Sequence, residues 1–211
     1  MADSQGVGPI GAQRHRARVG TVEGVIDPRA LASDELRPGE RLLWVGQSDA
    51  ARLFGGRDAF LVPFSLLWGG FAISWEVGVL TSGAPWFFAL FGSVFALIGL
   101  HLIVGRFFVK RHRKRTEAFA VTDKRAFITN GRSSRETDVR RMDRSITWTR
   151  GRTHCSVEWG GSGGGLFSGG GVQHVYANTG MDGLFGPRPM AFFDVADGTA
   201  MVQALDDAAG R

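Results

Sequence analysis

The sequence predicts a membrane α-helical hairpin, two transmembrane helices, joined to a small mainly-β barrel or sandwich that ends in a helix. Three observations carry this expectation. Two long apolar stretches are divided by a single acid, Glu76. Six Lys/Arg residues crowd the eleven positions "GRFFVKRHRKR" immediately after the second stretch. Beyond them the apolar pattern changes, first to alternation and then to one helical stripe at the C-terminus.

Four segments follow. Residues 1–35 mix Gly, Arg, Pro and Ala with little periodicity and are expected to be a disordered tail. Residues 36–58, with a Pro-Gly turn and the apolar run Leu42 to Val45, form a lead-in, either a strand or an interfacial segment. Residues 59–105 are the hairpin. Residues 106–211 are the cytoplasmic β domain.

A bilayer core of about 30 Å needs roughly 20 apolar residues in helix. "AFLVPFSLLWGGFAISWEVGVL" (Ala59 to Leu80) and "PWFFALFGSVFALIGLHLIVG" (Pro85 to Gly105) both suffice. Pro63 falls in the first turns of one, and Pro85 opens the other. A buried hairpin in a soluble core is the competing reading, but the second stretch lacks the polar stripe such a helix shows. Gly92 and Gly99 lie seven apart on one face; with Ser93 and Ala96 they either allow close helix approach or reflect the frequency of small residues in spans. Trp75 and Trp86 flank the connector "VGVLTSGAP" as interfacial aromatics. Glu76, beside Trp75 and about a turn from the span end, is expected at the interface in contact with water. Turned inward instead, it would suggest ion or proton traffic.

Charge is segregated. The chain carries net +5, yet residues 106–154 hold fifteen basic and five acidic side chains, and residues 155–211 two basic and six acidic. The connector has no Lys or Arg, whereas Arg52 and Arg57 precede the first span and Arg106, Lys110, Arg111, Arg113, Lys114 and Arg115 follow the second. The positive-inside rule puts both termini in the cytoplasm. These six residues then form a membrane-surface basic patch that attracts anionic headgroups nonspecifically. With the spans accounting for the basic foot, nucleic-acid binding ranks lowest. One cysteine, Cys155, excludes an intramolecular disulfide. No apolar stretch of h-region length precedes Ala59, so no cleaved signal peptide is expected.

After the foot, "EAFAVTDKRAFITNGR" reads as two strands joined at a TDKR turn, with Asn130-Gly131 as a further hairpin signal. "SITWT", "HCSVEWG", "VQHVYAN" and "MAFFDV" are further strand candidates. In "DGTAMVQALDDAAG", Asp197 is a helix N-cap, Met201, Val202, Leu205 and Ala209 an apolar stripe, and Gly210 a stop.

The order "PGERLLWVGQ", two spans, "RTEAFAVTDKRAFITNG" and "FFDVADGTAMVQALDDA" resembles a family of bacterial membrane proteins with pleckstrin-homology-like (PH-like) domains. Gly39, Glu40, Leu43, Trp44, Gly46, Thr122, Asp123 and Arg125 match its motifs; Phe119 stands where Tyr is usual. The resemblance covers about residues 36–208. It implies a PH-like barrel in the bacterial inner membrane, and it supplies neither catalytic residues nor phosphoinositide binding.

Chemical motifs are sparse. "GGSGGGLFSGGG" (Gly160 to Gly171) lacks both the GxGxxG register and GK[ST], and reads as a loop. His154 and Cys155, adjacent in a strand, point to opposite faces and do not share a metal. The expected function is therefore a non-enzymatic membrane protein without cofactor or metal. Its cytoplasmic module would bind a protein, a lipid surface or a second copy of itself. A small transport or channel subunit using Glu76 is the alternative.

Overall fold

A computed structural model describes residues 27–160, 171–184 and 186–210. The expected disordered tail up to residue 26 and the glycine-rich loop at 161–170 lie outside those residues. Within the rest, the chain forms two antiparallel sheets, two long apolar helices and shorter helices around them.

The segment assigned to the tail is helical at its end. Helix α1 (Pro28–Asp34) starts where the Asp27 side chain accepts from Arg29 N at 2.9 Å, with Pro28 at the first helical position. It buries Ala32 against Ala120 and Phe127.

Strand β1 (Leu42–Gly46) pairs antiparallel with β2 (Ala118–Thr122), Val45 opposite Ala120. The lead-in is thus part of the β domain, and Trp44 enters its core. The two long helices are inserted between β1 and β2 and do not precede a separate domain at residue 106. Sheet one continues with β3 (Arg125–Thr129) and β4 (Ser134–Asp138), in the order β1-β2-β3-β4. Sheet two is β5 (Arg144–Trp148), β6 (Cys155–Trp159) and β7 (Ala191–Val195). The polar β4, "SRETD", has no alternating apolar signal and is legible only through the turn before it. There Asn130 Oδ1 accepts from Arg132 N and Ser133 N, and Gly131 takes φ +76°.

The sheets do not close into a barrel; they face each other across one core. Phe119 of β2 stacks on Phe192 of β7 at 4.8 Å, and Trp159 meets Phe192 edge-on at 5.1 Å. Cys155, Val157 and Trp159 alternate inward as their spacing predicts. Helix α6 (Gly198–Ala209) covers the core with Met201, Ala204 and Leu205 and ends at Gly210, in the left-handed region at φ +71°. Asp197 occupies the N-cap position, without a side-chain capping bond.

"VQHVYAN" departs from the strand expectation: residues Gly171–Tyr176 form helix α5. Val172, Val175 and Tyr176 stand at i, i+3 and i+4, which is helical spacing; in a strand Val172 and Val175 would fall on opposite faces.

The long helices are α2 (Asp58–Thr81) and a continuous helix from Trp86 to Thr116, built of α3 (Trp86–Leu100), a π turn (His101–Gly105) and α4 (Arg106–Thr116). Both are long and apolar enough to cross a membrane. Helix α2 runs on through most of the expected connector and leaves only Ser82 to Pro85 as the turn. Gly99 meets Gly69 backbone to backbone: a Cβ at Gly99 would lie 2.8 Å from Gly69 Cα. This is the close approach that the small residues allow.

Candidate functional site

The foot of the second long helix is where sequence signal and geometry converge. At the π turn, Arg106 N bonds His101 O, five residues back, and not Leu102 O. Leu102 O instead accepts from Arg106 Nε at 2.9 Å. The turn also brings His101 Nδ1 against Gly105, where a Cβ would lie 2.5 Å away.

Past the π turn, basic residues at every fourth position share one face. Arg106, Lys110 and Lys114 are 1%, 2% and 5% exposed. Arg106 Nη1 donates to Asp58 Oδ1 and to Thr179 O. Lys110 Nζ donates to Asp58 Oδ2 at 3.0 Å and to Leu53 O. Lys114 Nζ donates to Asp194 Oδ2 at 2.6 Å and to Asp49 O and Arg52 O. Asp58 opens α2, and Asp194 lies in β7. One helical face is thereby clamped to the start of the hairpin and to the second sheet.

The six residues expected to form a surface patch therefore divide. Arg106, Lys110 and Lys114 are held in buried ion pairs and do not form an open surface patch. Arg113 pairs with Asp182 at 2.8 Å. Arg111 and Arg115 face outward, alongside Phe108, which is 69% exposed. The missed signal was spacing: positions 106, 110 and 114 repeat at helical period.

Asp194 is the second anchor. It has φ +51°, forms an ion pair with Arg52, whose Nε lies 2.9 Å from Asp194 Oδ1, and accepts from Asn178 Nδ2 at 2.7 Å. Burial alone would raise its pKa, but the charge and hydrogen bond of Lys114, with Asn178, outweigh that and hold it below the ordinary carboxylate value. Gly180 closes the site from outside. At φ +85° it lies so near the Arg106 carbonyl that a Cβ would fall 1.9 Å from that oxygen, so only glycine fits.

Beside this clamp lies a small cleft where Arg113, Arg135 and Arg188 meet Glu117 and Asp182. Arg188 pairs with Glu117, and Arg135 Nη2 is 3.9 Å from the same carboxylate. One guanidinium is in excess. Burial, then the neighbouring Arg188, holds Arg135 below its ordinary pKa.

Four of the residues that match the PH-like motifs, Glu40, Thr122, Asp123 and Arg125, meet at another corner. Arg125 Nε donates to Glu40 Oε1 at 2.8 Å, Arg125 Nη2 to Glu35 O, and Arg125 Nη1 to Glu136. Thr122 Oγ1 takes Arg125 N at 3.0 Å, and Asp123 Oδ1 takes Arg41 N at 3.0 Å. These residues fasten β1, the β2–β3 turn and β4 together; their evident work is structural.

Glu76 does not simply face solvent. It is half-buried and lies over Gly92, where a Cβ would sit 2.0 Å from Oε2, and that oxygen has no hydrogen-bond partner among the described residues. Trp75 and Trp86 are 50% and 76% exposed at the far end of the hairpin. Among the described residues no group of three His, Cys, Asp or Glu side chains could hold a metal. His154 instead contacts Asp49 at 3.0 Å, and Cys155 is buried in the core.

The fold and the clamp define a two-sheet β module carrying an inserted apolar helical hairpin, the two parts joined by buried ion pairs. Compared with known proteins, the chain matches no family model, no curated protein and no solved structure.

Proposed function

We propose that this is a non-enzymatic integral protein of the bacterial inner membrane, with both termini cytoplasmic. Its hairpin anchors a PH-like module that binds a protein partner, a second copy of itself or a lipid surface. The observation that carries the reading is the contrast between the hairpin and its foot. Leu67, Leu97 and Trp86 are 76%, 65% and 76% exposed on helices of spanning length, whereas Arg106, Lys110 and Lys114 just beyond are buried in ion pairs. Exposed apolar surface on this scale calls for a nonaqueous neighbour. The charged clamp fixes the module's orientation against it. Two antiparallel sheets closed by α6 support the PH-like part. Arg111 and Arg115 supply a nonspecific attraction to anionic headgroups, about 1 kcal/mol for each basic residue near the surface. Fractionation tests the anchor: the chain is expected to stay with membranes through an alkaline carbonate wash and leave only with detergent. Alkaline phosphatase activity from a fusion after Arg211 would overturn the topology.

A second reading, a small subunit of a transport assembly, draws on the unpartnered Glu76 oxygen. Loss of a measured ion flux in Glu76→Gln, with abundance unchanged, would favour it over the first.

A further inference from the structure

A groove of about 670 Å³ runs along the junction of hairpin and module. This volume is in the range of small-molecule and lipid sites. Leu61, Phe64 and Trp68 of α2 form one wall, and Leu97 and Ile98 of α3 the other. Met181 and Leu184, from the segment that also carries Gly180, meet it from the module side, and His101 and Arg106 line its polar end.

Arg106 makes this more than an apolar crease. It is 1% exposed, its Nε and Nη1 are bonded, and its guanidinium lies 4.2 Å from the centre of the Phe107 ring. Its Nη2 is buried with no hydrogen-bond partner among the described residues. Buried guanidinium N–H groups ordinarily find an acceptor. The local charge is also unbalanced, because the one carboxylate of Asp58 serves both Arg106 and Lys110. The groove therefore combines an apolar trough, a donor lacking an acceptor and one positive charge in excess.

We propose that the groove binds one anionic phospholipid of the surrounding bilayer. A phosphate oxygen accepts from Arg106 Nη2, reached by a small shift of the side chains over it, and an acyl chain lies between α2 and α3. The apolar walls belong to the helices read as spans. Phe64, Leu97 and Leu184 are 45%, 65% and 66% exposed, so the trough is continuous with the surface that would meet lipid tails. That continuity favours a bilayer lipid over a peptide. The excess charge favours an anionic headgroup over a zwitterionic one. This inference rests on the membrane reading above, and it differs from the nonspecific attraction of Arg111 and Arg115 in having one site and one stoichiometry.

The test is native mass spectrometry of the full chain, purified in mild detergent and offered phosphatidylglycerol and phosphatidylethanolamine in equal amounts. One phosphatidylglycerol per chain is expected to be retained, with a preference of about tenfold or more. Leu97→Trp fills the trough without touching the Asp58 clamp and should abolish retention. Arg106→Gln, which removes the positive charge in excess, should remove the preference. Arg111→Gln with Arg115→Gln should change neither. Equal retention of both lipids, or retention unaffected by Leu97→Trp, would overturn the proposal while leaving the anchor reading intact. A chain that stays in aqueous buffer without detergent would overturn both.

Discussion

Asp58 takes Arg106 on one carboxylate oxygen and Lys110 on the other, and all three side chains are at most 3% exposed. This contact closes the inserted hairpin at its base, because Asp58 opens α2 and Arg106 follows the π turn that ends the apolar part of the second helix. Gly55 N also donates to Asp58 Oδ2 at 2.8 Å, which fixes the carboxylate from a third side.

Removing that carboxylate leaves two buried cations without their counter-charge. Breaking a buried pair from one side typically costs about 3–5 kcal/mol. Asp58→Asn is therefore expected to lower the stability of the purified chain by that order, whereas Asp34→Asn, on an exposed residue of α1, should have almost no effect. Thermal unfolding in detergent, read by near-ultraviolet dichroism, measures both. Equal midpoints for the two variants would show that the clamp does not hold the base together.

Glu40 provides a pH-dependent counterpart at the motif corner. The hydrogen bond from Arg125 holds its carboxyl below the ordinary value of 4.5, against the opposing effect of burial. A pKa lower in the folded than in the unfolded chain gives stability that is fully present above the unfolded value. It is lost as pH falls through the folded one. Stability should thus decline on acidification below about pH 5, and the decline should be shallower in Glu40→Gln, which starts less stable at neutral pH. Denaturant midpoints measured from pH 7 to pH 3 decide it; parallel curves would mean that Glu40 contributes nothing to the acid limb.

Cys155 sits at zero exposure opposite Trp148 and against the helix-opening Gly198, and burial pushes its thiol up to about 11. The reactive thiolate is therefore scarce at neutral pH. In the folded chain, maleimide labelling at pH 7.5 is expected to be far slower than in the denaturant-unfolded chain. Rapid labelling of the folded protein would show that the sheet-two core opens readily.

Much of the architecture was legible in the sequence. The hairpin, β2, β3, β5, β6, β7 and α6 follow from apolar length and period, and Gly210 ends α6 as its position suggests. The departures have physical causes. Strand β4 has no apolar face to announce it. The run at Val172 to Tyr176 is apolar enough for a strand, but its spacing is that of a helix. The clamp was hidden because charge was counted along the chain and not around the helix: Arg106, Lys110 and Lys114 repeat every four residues, and their partners Asp58 and Asp194 lie 48 or more positions away. No local pattern reports a contact of that range. The pairing of β1 with β2 across the hairpin was hidden for the same reason.

That pairing yields the last prediction. Strand β1 precedes the hairpin, yet Val45 pairs with Ala120 and Trp44 belongs to the core shared by both sheets. A fragment beginning at Arg106 would lack Trp44, the partner strand of β2 and the Glu40 carboxylate of Arg125, and is expected to aggregate. The ends of the insertion, by contrast, are held together by the Asp58–Arg106 contact. A flexible linker of about four to six residues spans on the order of 10–14 Å, enough to join them. Replacing residues 59–105 with such a Gly/Ser linker should give a soluble, monodisperse β module that unfolds cooperatively. Solution scattering and amide-exchange protection at Ala120 and Val121 are the measurements. If the Arg106 fragment folds alone with protected β2 amides, or if the linker-joined chain is unfolded, then β1 is not an integral strand of the module.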